Sequence, residues 1–416
     1  MDTQAFDPGA EPAAVMDAAT GGMLALSRQP TVHYGARLGD ILPRLAKERG
    51  SERILPVVTA SLRGHAVVAR AMAALGPAAL PPFSALKPHS PFDVVLALAA
   101  EIRRLRPDLI VVVGGGSALD AAKVATLAVA TGAGDRDALL AIRAVPGELG
   151  ELTPCPAASA IPVLAVPTTL SAAEFGMIGG ATDPATGIKH IFKSDRLAPD
   201  LVVFDPWLAG DTPTDLWLST GVRSLDHGVE TILSRDANPF TDALALAGLK
   251  RLASGLRRSH AAPGDVAARH ACQLGVWLVA CGIGRIRYGA SHGLGHQLGA
   301  VTGVPHGLTS CVLLPAVLAY NEPLAAERQN LIADAISGSG GGSGGGSGGG
   351  PGWTAAEALR ALIASLGLPT RLSKLGVPAD ALPRIAESAL GNPFVKANLR
   401  PVASLADAME ILNAAY

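Results

Sequence analysis

Charge is scarce in this 416-residue chain: 17% of residues are charged, and the two signs nearly cancel to a net −1. Such a balance excludes the electrostatic footprint of a protein that binds nucleic acid or an anionic membrane. Aromatic residues are scarcer still, at 4%, so the stacking platforms used to hold single-stranded nucleic acid are lacking. There are four cysteines, Cys155, Cys272, Cys281 and Cys311, without metal-finger spacing. Cys272 and Cys281 flank an apolar helical run and read as small core residues. No disulfide framework is implied, and a reducing cytoplasm is the expected location. The stretch from Met1 to Gly22 has no basic region and carries Asp2, Asp7, Glu11 and Asp17, so it does not read as a signal peptide. No apolar run is expected to span a membrane.

What the chain has is length and apolar content. Hydrophobic residues make up 49%, enough for large cores and a buried subunit interface, and the length favours two domains. A homodimer acting on a small molecule is expected.

Residues 1–28 are rich in Ala, Gly and Asp without a sustained period, and read as a disordered extension. From 29 to 208 strand and helix patterns alternate, which predicts an α/β, Rossmann-like domain. Predicted strands are Thr31–Gly35, Arg53–Thr59, Pro107–Gly114, Ile161–Thr169 and Leu201–Pro206. Helices are predicted over Leu38–Arg49, where Pro43 would belong in the first turn, and over Leu62–Leu75 and Phe92–Leu105. After Pro213 the strand signals stop, and 209–416 reads as an all-helical domain. Within it, 337–352 is Ser and Gly apart from Pro351, a flexible linker of natural or engineered origin.

Two stretches carry chemistry. In the first, the β-branched run Leu109–Val113 enters Gly114-Gly115-Gly116-Ser117, and a helix follows over Ala118–Ala130 with Asp120 and Lys123. A strand, a glycine turn and a helix N-terminus together hold a phosphate, because bare N–H groups and the helix dipole both face the anion. Thr168 and Thr169 end a further strand, where cofactors bind in parallel sheets. The strand ending at Thr59 offers no acidic residue at its carboxyl end. In the second stretch, His292 and His296 stand at i and i+4, on one face of a helix. His306 follows a Gly303-Val304-Pro305 turn that folds it back toward them. His227 lies upstream, in Arg223-Ser224-Leu225-Asp226-His227.

Together, Gly114-Gly115-Gly116-Ser117-x-x-Asp120-x-x-Lys123, Pro167-Thr168-Thr169 and His292-x3-His296-x9-His306 resemble the iron-containing (group III) alcohol dehydrogenases over about residues 30 to 415. Ser219–His227, Gly289–His296 and Val304–Cys311 are most similar to maleylacetate reductases within that family. The resemblance implies a dehydroquinate synthase-like fold, with the cofactor pyrophosphate on Gly115, Gly116 and Ser117, and Asp120, Thr168 and Thr169 toward the nicotinamide. In the family's metal-dependent members one Asp and three His hold the ion. The His positions correspond to His227, His292 and His306, and the Asp position to Arg223. A guanidinium repels a divalent ion, so no catalytic metal is expected. Arg223 suits a carboxylate instead, or pairs with Asp226 or Glu230. The segment Leu170-Ser171-Ala172-Ala173-Glu174 departs from the Gly/Ser-rich sequence usual there.

These features lead to an expected NADH- or NADPH-dependent reductase of maleylacetate or a similar unsaturated keto diacid. His296 or His292 would donate a proton or hold the oxyanion, and His227 and His306 would shape the pocket with Arg223. Two alternatives remain: a metal-dependent alcohol dehydrogenase using Asp226 as its acid ligand, and a diverged non-redox protein on the same scaffold.

Overall fold

The computed structural model describes residues 24, 29–144, 160–337 and 352–416. The expected extension (Leu24 aside), Cys155, and the Gly/Ser linker between Ser337 and Gly352 lie outside them. The described residues divide into two compact units: 29–221 with Arg258–Trp277, and Val222–Arg257 with Leu278–Tyr416. We call them the sheet unit and the helical unit. The division falls inside a helix and assigns 258–277 to the sheet unit, so it differs from the single boundary after residue 208 expected from sequence.

In the sheet unit, β1 (Thr31–Tyr34), β2 (Ile54–Val58), β3 (Leu109–Gly114), β4 (Val163–Pro167) and β7 (Leu201–Phe204) form one parallel sheet in the order β1-β7-β4-β3-β2. Every residue of β3 is buried, as its unbroken apolar run requires of a strand covered on both faces. Leu109, Val111 and Val113 pack with Leu38, Leu42 and Val68 on one side, each worth about 1.5–3 kcal/mol of burial. Pro56 is tolerated because β2 is the last strand in this order. Beyond it only an irregular segment pairs, with Phe83 N–H donating to the Pro56 carbonyl, and a proline there costs the sheet no ladder bond.

Some expectations needed correction. The Leu38–Arg49 helix keeps Pro43 inside it. Its start is held at Leu38, whose N–H donates to Asp205 Oδ2 at 2.8 Å, and its buried face of Leu38, Ile41, Leu42, Leu45 and Ala46 sustains it across the proline. The helix expected from Leu62 begins at Ala66, capped by His65. The glycine-turn helix begins at Gly116, two residues early, and runs to Thr131. Sequence did not predict β5 (Ile178–Thr182) and β6 (Lys189–Lys193), an antiparallel pair. In the helical unit one helix runs from His306 to Ser337, with non-helical backbone at Ala325. Its length and composition would allow a membrane crossing, but 72% of its apolar window is buried. It therefore serves as a core helix, packing Val312, Leu313, Ala316 and Val317 against Leu294 and Leu298. Cys272, Cys281 and Cys311 are buried, free thiols.

Lys123 does not reach outward. Its ammonium is buried and donates to the carbonyls of Ala173, Gly176 and Ile178, tying the segment after β4 to the Gly116–Thr131 helix. Glu174, 1% exposed, has no hydrogen-bond partner for either carboxylate oxygen among the described residues. Burial pushes its pKa up to about 7, against the pull of Lys123. The folded state therefore holds this proton more tightly than the unfolded chain, and stability falls as pH rises through the window from about 4.5 to about 7, by roughly 3 kcal/mol at most. Glu174→Gln should match wild type near pH 4.5 and exceed it at pH 8 in urea-unfolding free energy. Parallel curves for the two proteins across that range would refute the assignment.

Candidate functional site

Within the helical unit, polar side chains converge from three helices. The Thr214–Ile232 helix carries Arg223, Asp226, His227 and Glu230, whose i, i+3, i+4, i+7 spacing puts them on one face. The Ala290–Thr302 helix carries Ser291, His292 and His296, and the His306–Ser337 helix carries His306 and Ser310. A fourth segment, Asn392–Val395, comes close because residue 293 is glycine: a Cβ there would lie 2.4 Å from Val395 Cγ2 and 2.8 Å from its backbone nitrogen. This approach brings Phe394 to 6.5 Å from the His292 ring and 5.5 Å from the His296 ring.

Asp226, fully buried, collects three donors on Oδ2: Ser310 Oγ at 2.6 Å, Ser291 Oγ at 2.8 Å and Arg223 Nη1 at 3.2 Å. Arg223 Nη1 also reaches Ser310 Oγ at 3.1 Å. Although burial pushes the Asp226 pKa up, His292, Arg223 and Ser310 together hold it well below the usual carboxylate range. Glu230 accepts from the N–H groups of Gly289 and Ser291, at 2.9 and 2.7 Å, and meets His292 Nδ1 at 2.7 Å. His292 Nε2 meets His227 Nδ1 at 3.1 Å. Tyr288 stacks on His292 with centroids 4.3 Å apart and planes 6° apart. Burial, His292 and Arg223 push the His227 pKa well down. For His292, burial and Arg223 push down, but Asp226 and Glu230 outweigh them and the net shift is upward.

The four histidines thus stand as two pairs, His227 with His292 and His296 with His306, the second at 5.1 Å between centroids. Both ring nitrogens of His292 are engaged within the protein, which argues against the expectation that His292 donates a proton to substrate. Arg223 pairs with Asp226, one of the two partners foreseen for it. The sequence reading assigned no role to Ser291, Ser310, Tyr288 or Phe394. Ser310 was findable as the i+4 neighbour of His306, whereas Phe394 lies too far along the chain for any spacing rule to link it to His292. Asp226, Glu230 and His292 also offer donor atoms all within 4.8 Å of one another, close enough to face one cation.

The glycine turn belongs to the sheet unit. A Cβ on Gly115 would lie 2.9 Å from Thr169 Cγ2, and one on Gly116 would lie 2.8 Å from Ser171 Oγ. The hydroxyls of Thr169 and Ser171 are buried without a partner among the described residues. The N–H groups of Gly116 and Ser117 open the helix and have no intrahelical acceptor. Unmet hydroxyls beside a bare helix N-terminus suit an anionic group rich in acceptor oxygens. Of the other expected contacts, Thr168 is buried, and Thr59 Oγ1 lies 3.5 Å from Ser61 Oγ. Ser117 Oγ accepts from His89 N–H at 3.3 Å, and Asp120 pairs with Lys189 at 3.2 Å. The structure therefore gives Asp120 a protein partner where the resemblance implied a cofactor.

Two family profiles cover the chain. Residues 30–206 match iron-containing alcohol dehydrogenase, and residues 217–416 match the C-terminal part of the Fe-containing alcohol dehydrogenase family. A maleylacetate reductase of Burkholderia cepacia is 29% identical over 386 residues, 93% of this chain and 95% of that protein. Dehydrogenase FUM7 of Gibberella moniliformis is 33% identical over 89% of this chain and 92% of its own. The crystal structure of maleylacetate reductase from Rhizobium sp. strain MTP-10005 is similar with a TM-score of 0.77 at 25% identity, covering 95% of this chain and 99% of that one.

Asp226 and Arg223 are each the other's buried counter-charge, so removing one strands the other. Asp226→Ala should cost about 3–5 kcal/mol in a denaturant titration, and adding Arg223→Met should recover at least half of that. A double variant no more stable than the single one would show that the ion pair is not what Asp226 supports.

Proposed function

We propose that this chain, which belongs to the iron-containing alcohol dehydrogenase family, reduces maleylacetate or a similar unsaturated keto diacid to a 3-oxoadipate-type product. It is a nicotinamide-dependent oxidoreductase, and we take NADH or NADPH as its reductant and no metal as its catalyst. The observation that carries this reading is the buried guanidinium of Arg223 among the histidines, at the position where metal-bearing members resemble one another in having an aspartate.

Three features support a metal-free site. A ligand histidine directs a lone pair at the ion, but His292 Nε2 and His227 Nδ1 face each other at 3.1 Å. Both Glu230 oxygens accept backbone N–H groups. The positive charge of Arg223 lies in the same cluster and opposes a divalent ion. In the sheet unit, the N–H groups of Gly116 and Ser117 and the hydroxyls of Thr169 and Ser171 would hold the cofactor pyrophosphate beside Gly115.

When bound, the nicotinamide supplies a hydride to the conjugated C=C of the substrate, which becomes an enolate. The chain's own groups do the rest. Arg223 holds a substrate carboxylate or the developing oxyanion through charge-assisted hydrogen bonds. An imidazole delivers a proton to carbon, a task open to His227 and closed to His292, whose two ring nitrogens are engaged.

A second reading, a metal-dependent alcohol dehydrogenase, is favoured by one observation: the donor atoms of Asp226, Glu230 and His292 lie within 4.8 Å of one another. Near-stoichiometric zinc or iron in the purified protein would put this reading first.

The test is oxidation of NADH and of NADPH with maleylacetate, with and without chelator. Turnover that survives chelation is expected, and its loss on chelation would reject the metal-free form. Arg223→Met should raise KM for the diacid by about 10- to 100-fold, the worth of a charged hydrogen bond, with Arg223→Lys recovering little. An unchanged KM would remove Arg223 from substrate binding.

A further inference from the structure

We propose that Glu230 is a positioning residue that sets the tautomers of two histidines in series, leaving His227 Nε2 as the ring nitrogen of this pair offered to substrate. The hydrogen bonds alone carry the placement. Only what that nitrogen then does rests on the reductase reading.

The series starts at the N-terminus of the Ala290–Thr302 helix. Glu230, 4% exposed, comes from another helix and accepts the Gly289 and Ser291 N–H groups at 2.9 and 2.7 Å. Each of its two oxygens is thus an acceptor for a backbone hydrogen at a helix end. A carboxylate only accepts, so the 2.7 Å contact to His292 Nδ1 requires that this nitrogen carry the hydrogen. The competing carboxylate, Asp226, stands at 3.6 Å from the same nitrogen, beyond hydrogen-bond range. Tyr288, stacked at 4.3 Å, fixes the plane of the His292 ring.

His292 Nε2 is then committed to His227 Nδ1, at 3.1 Å. Whichever of the two holds the shared hydrogen, three of the four ring nitrogens in this pair are occupied within the protein. His227 Nε2 is the fourth. Among the described residues it has no hydrogen bond, and His227 keeps 9% exposure. A carboxylate that orders one imidazole, which in turn orders a second, keeps the outer ring from flipping its nitrogens between approaches of substrate. If His227 gives up its Nε2 hydrogen to the enolate carbon, its Nδ1 takes the shared hydrogen from His292 Nε2. His292, which held hydrogens on both nitrogens beside the Glu230 carboxylate, passes from imidazolium to neutral imidazole with its hydrogen still on Nδ1, so the pair loses the one proton and the one positive charge that the enolate takes up.

The test uses the full chain labelled with ¹⁵N at histidine. Long-range ¹H–¹⁵N correlation, assigned with His292→Ala and His227→Ala, reads the tautomers directly and requires no turnover. Wild type should show His292 protonated at Nδ1. In Glu230→Gln the amide donates to Nδ1, and the His292 hydrogen should move to Nε2. A wild-type His292 with bare Nδ1 overturns the proposal even if the variant does not fold. In kinetics, Glu230→Gln should lower kcat about 100-fold with KM for the diacid nearly unchanged, the size of one acid–base contribution. In a His227→Ala background it should lower kcat no further, because the two act in one series. Additive losses would overturn the series, whereas absence of any turnover with the predicted tautomers intact would count against the reductase reading instead.

Discussion

A carboxylate at the start of a helix is the contact on which the helical unit's polar centre depends. Glu230 takes up two backbone N–H groups that the Ala290–Thr302 helix cannot satisfy internally. It also places a negative charge where the helix dipole is positive. The third hydrogen bond of that carboxylate goes to His292, and through His292 the order extends to His227. A neutral or mobile group at 230 would leave a helix end unmet and the orientation of two imidazoles undefined. Helix capping and site geometry are therefore one interaction here.

The sheet unit handles its own helix N-terminus the opposite way. The Gly116–Thr131 helix has no carboxylate cap, and its N-cap, Gly115, has no side chain to offer. Thr169 and Ser171 close on the turn with their hydroxyls unmet. In one unit the protein satisfies the helix end itself and so fixes a site. In the other it leaves the end open, which is the condition for binding an anion from outside. Lys123, a natural candidate for anion binding from its place in the motif, is instead turned inward onto three carbonyls, so the charge facing the turn comes from backbone dipoles.

Legibility from sequence followed how local the determining interaction was. The parallel strand Leu109–Gly114 was plain because its burial on both faces is written in an unbroken β-branched run. The spacing of His292 and His296 was plain because helix geometry acts within four residues. The β5–β6 pair was not, since Ile178–Thr182 contains two glycines and Lys189–Lys193 is only partly buried, so neither shows clean alternation. The persistence of the Leu38–Arg49 helix across Pro43 depends on Asp205, 167 residues away. The occupation of His292 was hidden for the same reason. Its partners sit on a helix some sixty residues upstream, and spacing shows which face a side chain occupies but not which of its atoms are already taken. Phe394 arrives by a close backbone approach that Gly293 permits, a condition visible only once the two segments are known to meet.

The buried charge of Arg223 has a consequence that reaches beyond the residue itself. A guanidinium 8% exposed requires a counter-charge, and Asp226, one turn along the same helix, supplies it at 3.2 Å. Asp226 is itself held by Ser291 and Ser310 from the other two helices. The positive charge is thus bound into the same network that orders the histidines. An ion entering between Asp226, Glu230 and His292 would face the positive charge of Arg223, 3.2 Å from Asp226, and would compete with two backbone N–H groups and with His292 Nδ1 for the Glu230 carboxylate. Each of these contacts opposes metal binding, and together they are the grounds on which an anionic substrate is proposed for this site.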